Sequence, residues 1–137
     1  MEQTFQLPQP TVVLAGLRDP GRRLRILGYL EKAGIRVIEA GPLDAGRTLG
    51  ELLGLPGFPP AKTGGSLEPN PFREELLVMF AFRGTMMQEF LQFFRDQGLK
   101  PVALKAVATE TNLRWSLGRL YGELSKERDW FLKNARV

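Results

Sequence analysis

The order of apolar and polar segments in this chain occurs twice, and that repetition limits the folds open to it. The first pass reads "TVVLAGL", "RDPGRRLRILGYLEKAGI", "RVIEAG" and "PLDAGRTLGELLG"; the second reads "ELLVMFAF", "RGTMMQEFLQFFRDQGL", "KPVALKA" and "VATETNLRWSLGRLYGEL". Each pass gives an apolar strand, an amphipathic helix closed by Gly and an aliphatic residue, a second strand, and a polar loop. A helix opening with hydroxyl-Leu-Gly follows. The chain is therefore expected to be an α/β protein of two tandem βαβα units, an internal duplication. The first unit covers residues 1–53 and the second, with a long C-terminal helix, residues 73–137; the Gly/Pro-rich segment 54–72 is a linker, expected to be exposed. One four-stranded sheet covered by helices is favoured over two small lobes, because two strands alone are too few to be stable. "VVLAGL" and "LLVMFAF" are unbroken apolar runs suited to central strands, while "RVIEA" and "PVALKA" are mixed and suited to edges.

Helix punctuation agrees with this division. Asp19 is placed to cap the first helix, with Pro20 at its first position, and Thr85 and Gln88 form a capping-box pattern for its counterpart. Gly34 and Gly98 suit the left-handed residue beyond each helix end. Met87, Phe90, Leu91 and Phe94 follow the spacing of one buried face, as do Leu117, Leu120, Tyr121, Leu124, Arg128 and Phe131 on the last helix. Met86 and Phe93 are displaced from that stripe. With Trp130 and Leu132 they form an apolar contact surface or complete a wide core face. Gly34 and Gly98 are 64 residues apart but Leu49 and Leu117 are 68 apart. The second unit has thus gained four residues, expected in its second strand and the loop beyond.

That loop is the most distinctive stretch of the chain. Ser116 aligns with Thr48 as a helix N-cap, so Trp115 and Leu120 take the places of a hydrophobic staple. The Thr and Asn side chains before them can bond their own backbone in turns. The competing reading is an anion site at the helix start, ringed by Lys105, Thr109, Thr111, Asn112, Arg114, Trp115 and Ser116. Packing is the favoured reading of the two. Arg119 stands where a capping-box acid belongs, and a cation there is mildly unfavourable unless it serves another contact.

The block of Leu104, Lys105, Ala106, Val107, Thr109, Thr111, Asn112, Trp115, Ser116 and Leu117 resembles the small bacterial family catalogued as domain of unknown function 3783. The resemblance covers roughly residues 75–125. It implies the β-α-β-loop-helix order and a role for the loop, and it implies no activity. The family tends to carry Glu three residues after the cap, where this chain has Arg119.

Composition narrows the function classes. The chain has no cysteine and no histidine, which removes disulfides, thiol chemistry and the usual general base and metal ligand. Catalysis and a metal or other cofactor are therefore not expected, and a cytoplasmic protein is. No apolar run approaches the roughly 20 residues of a membrane span, and the N-terminal segment lacks the layout of a signal peptide. The net charge of +4, from 19 basic and 15 acidic residues, falls short of the basic stripe of a nucleic-acid domain. "RDPGRRLR" gathers Arg18, Arg22, Arg23 and Arg25 near one helix start, where they could meet phosphates, but a solvated helix face is favoured. "KTGGS", Lys62 to Ser66, has phosphate-loop residues in the wrong order and is read as linker. Gly118 and Gly122 permit close helix packing, within the chain or across a dimer. The expectation is a non-catalytic binding or interaction domain, forming a homodimer and presenting the 105–115 loop to a protein partner or a small anion. A phosphate or carboxylate sensor is the alternative.

Overall fold

Two buried, largely apolar strands lie antiparallel at the centre of one sheet. The computed structural model describes residues 8–60 and 71–134. Strand β1 (Thr11–Ala15) pairs antiparallel with β3 (Leu76–Phe80) in a register centred on Val13 opposite Val78. Strand β2 (Arg36–Ala40) joins β1 in parallel, and β4 (Leu104–Val107) joins β3 in parallel, giving the order β2-β1-β3-β4. The unbroken apolar runs are central and the mixed ones are at the edges, as strand composition predicts.

The alternation of side chains divides the core into two layers. Val13, Ala15, Leu76, Val78 and Leu104 face Ala45, Leu49, Leu53, Phe72, Leu117 and Leu120. Val12, Leu14, Leu77 and Met79 face Ile26, Leu30, Phe90 and Phe94. The second layer is roofed by helices α1 (Pro20–Lys32) and α3 (Met86–Asp96). The first is roofed by the single-turn helix α2 (Leu49–Leu52) and the long helix α4 (Leu117–Asn134). Two 3-10 turns, Pro42–Asp44 and Asn112–Arg114, lead from the edge strands into α2 and α4.

Asp19 accepts from the N–H groups of Gly21 and Arg22, and Gly34 and Gly98 have φ of +72° and +65°. The start of α3 differs from expectation. Thr85 forms no cap; its hydroxyl instead donates to the Glu89 carboxylate at 2.9 Å. Its backbone (φ −91°, ψ 6°) lies outside the extended region an N-cap needs. The buried face of α3 is also wider and rotated. Met86 and Phe93 pack on the core, whereas Met87 is exposed, because Tyr29 of α1 stacks on both Phe90 and Phe93 and draws that side inward.

Further differences lie in the connections. β2 begins two residues after Gly34 but β4 begins six after Gly98, while Thr48 and Ser116 each lie twelve residues beyond the start of the preceding strand. The extra residues therefore precede β4, and the loop after it keeps the length of its counterpart. The segment 54–72 is anchored at both ends: Phe58 packs against Gly50, and Phe72 is buried against Tyr121. "KTGGS" lies outside the described residues. On α4 the buried rhythm stops at Arg128, and Phe131 is 65% exposed, because the helix continues past the part of the sheet it covers.

Candidate functional site

The loop between β4 and α4 is held by its own polar side chains. The Thr109 N–H donates to Asn112 Oδ1 at 2.7 Å, and the Asn112 N–H donates to Thr109 Oγ1 at 3.1 Å. Asn112 Nδ2 then donates to the Val107 carbonyl at 3.1 Å. Buried to 8% exposure, Asn112 spends both side-chain ends on backbone and folds the 3-10 turn onto the strand before it. In the first unit Asp44 makes the simpler contact, accepting from the Gly41 N–H at 2.8 Å.

Beyond the turn, the two units brace each other. Thr48 and Ser116 form an isolated antiparallel bridge. The Leu49 N–H donates to the Trp115 carbonyl at 3.0 Å, and the Leu117 N–H donates to the Arg47 carbonyl at 2.9 Å. The Gly118 N–H donates to the Ala45 carbonyl at 2.9 Å, a close approach that glycine permits, since a Cβ there would stand 3.1 Å from that oxygen. Gly122, by contrast, faces open space. Ser116 Oγ accepts from the Arg119 N–H at 3.1 Å, and Thr48 Oγ1 accepts from the Glu51 N–H at the same distance. All three N–H groups of the first α4 turn are therefore occupied from within the chain. A helix start attracts anions through unpaired N–H groups, and this one has spent them.

The remaining expected site residues do not converge there. Leu104 and Ala106 face the layer beneath α4, so strand alternation turns Lys105 and Val107 to the opposite face of the sheet. Lys105 is exposed there beside Leu91, Phe94 and Arg95. Thr111 is exposed, and the Arg114 guanidinium sits 5.9 Å from the centre of the Phe58 ring. Trp115 packs on the core with the Arg119 guanidinium 4.3 Å above its ring. Arg119 thus stands where a capping acid is expected because it covers the tryptophan.

Of the four arginines near the start of α1, three are engaged. Arg18 reaches the Phe72 and Arg73 carbonyls, Arg22 pairs with Glu75 through two bonds of 2.7 and 2.8 Å, and Arg23 pairs with Glu39. Arg23 holds the Glu39 carboxyl below the ordinary glutamate range, chiefly through their hydrogen bond, which outweighs the opposing effect of burial, with a lesser contribution from charge. No group of three or more carboxylates that could hold a metal ion occurs among the described residues.

Three consecutive apolar side chains are exposed at the far end of α4. Trp130, Phe131 and Leu132 are 59%, 65% and 62% exposed, and the rings of Trp130 and Phe131 meet edge to face. Phe131, Leu124, Lys105 and Arg128 border a groove of about 310 Å³ beside β4. Helical spacing alone places Phe131 with the buried stripe; where the sheet ends under α4 is not encoded in that spacing.

Residues 75–131 match the family model described as Domain of unknown function (DUF3783). No curated protein and no solved structure matches the chain.

Proposed function

We propose that this chain is a non-catalytic interaction domain that docks a protein partner through the end of α4. The observation carrying this reading is the exposure of three consecutive large apolar side chains, Trp130, Phe131 and Leu132, on a helix otherwise anchored to the core. Aromatic residues of this kind dominate the energetics of protein interfaces. The groove bordered by Lys105 and Phe131 brings the sheet edge into the same surface. In this reading the polar residues of the 105–115 loop hold α4 in place, and the contact surface is the helix they position. The absence of cysteine fits a reducing cytoplasm. A tandem duplication accounts for two units with the same element order meeting at Val13–Val78 and Thr48–Ser116.

The test replaces Phe131 by p-benzoylphenylalanine in the full chain and irradiates it in the cells that express it. An adduct to one defined protein, lost when Trp130→Ala and Leu132→Ala are added, is the expected result. A second copy of the chain in the adduct makes the domain a homodimer, and a different protein makes it an adaptor. Absence of any adduct from position 131 sinks the reading.

A further inference from the structure

The cleft between the start of α1 and the connection into β4 has the make-up of an anion site. It measures about 630 Å³ and is walled by Asp19, Arg22 and Arg25 on one side and Leu99, Lys100, Pro101 and Ala103 on the other, with Glu75 between. The second wall is the connection four residues longer than its counterpart in the first unit.

Arg22 is fixed in this cleft. Its Nε and Nη2 donate to the two Glu75 oxygens, its guanidinium lies 5.8 Å from the Phe94 ring centre, and its side chain is only 13% exposed. Nη1 has no partner among the described residues. A guanidinium held by a carboxylate and a ring is a pre-organised donor. Arg25, one turn along α1, and Lys100, on the opposite wall, are exposed and make no ion pair among the described residues. The N–H groups of Lys100 and Ala103, which line the cleft, also lack hydrogen-bond partners among those residues. The acids lining the cleft are committed elsewhere. Glu75 is matched by Arg22, and Asp19 accepts from two N–H groups of α1.

We propose that this cleft binds a small oxyanion, the phosphate or carboxylate group of a polar metabolite, between Arg25 and Lys100, with Arg22 as the fixed donor. The volume suits a metabolite-sized ligand. The inference is independent of the docking surface on α4.

The experiment titrates the full chain at low ionic strength with inorganic phosphate and, separately, with citrate, following backbone amide resonances. Saturable shifts at Lys100 and Ala103 are expected with at least one anion, and the stronger of the two identifies the chemistry. The double variant Arg25→Gln/Lys100→Gln removes only exposed side chains and is expected to weaken binding at least about tenfold while leaving the melting temperature unchanged. The control Arg114→Gln/Lys126→Gln removes the same charge elsewhere and should bind as the parent does. No saturable shift with either anion, or equal weakening in both double variants, would overturn the proposal.

Discussion

Ala81 has φ of +61°, the only positive value for a non-glycine among the described residues. It lies just beyond β3, as Gly16 (φ +72°) lies just beyond β1. At Gly16 a side chain is forbidden, because a Cβ would overlap the Glu74 carbonyl. At Ala81 the methyl group is tolerated but strained. Ala81→Gly should therefore stabilise the protein by about 0.5–1 kcal/mol despite the entropy glycine loses on folding, measured by urea denaturation. Asn112 predicts the opposite. Asn112→Asp keeps an acceptor for the Thr109 N–H but loses the donor to the Val107 carbonyl and places a charge at an 8% exposed position. A loss of about 2–3 kcal/mol is expected, and an unchanged midpoint would show that the turn does not depend on it. Glu39 supplies a pH effect. Its carboxyl is held below the ordinary range by Arg23, so its contribution is complete above that range and is lost as pH falls through the folded-state value. Both side chains are more than two-fifths exposed, so the effect is small. Arg23→Gln should remove part of the stability difference between neutral and acidic pH without altering the rest of the curve.

At the scale of elements, α2 is the most constrained helix. It has one turn, and Gly50 faces the Phe58 ring so closely that a Cβ would overlap it. Gly50→Ala should cost about 1–3 kcal/mol, even though alanine favours helix. What the sequence reveals about elements depends on how local the cause is. Asp19 and Ser116 are legible as caps because the cap and the N–H groups it accepts lie within three residues. Thr85 has the same local pattern, yet its hydroxyl goes to Glu89. Whether Met86 or Met87 turns inward depends on Tyr29, more than fifty residues away in the chain. The candidate loop follows the same rule. Its turn chemistry is readable from Thr109 and Asn112, whereas the occupation of the α4 N–H groups by Arg47 and Ala45 is not.

Across the whole molecule, neither unit contains a complete core. β1 is sandwiched between β2 and β3, and both layers draw side chains from both units. A single cooperative unfolding transition is expected. Gly50→Ala, in the first unit, should shift the midpoint reported by tryptophan fluorescence, from Trp115 and Trp130 in the second, as much as that reported by circular dichroism. Two separated transitions would mean that the units fold independently. The four-stranded sheet and its division into centre and edge were readable because burial on both faces dictates composition. The antiparallel junction of β1 and β3 was not, since the same strands could be joined in more than one order.

The reciprocal bonds at Thr48 and Ser116 also bear on how the protein is made. The Leu49 N–H needs the carbonyl of Trp115, and β1 needs β3 on its open side. On the ribosome the first unit therefore lacks its partners until the second has emerged from the exit tunnel, and the nascent chain acquires this sheet only after β3 and the start of α4 have been released.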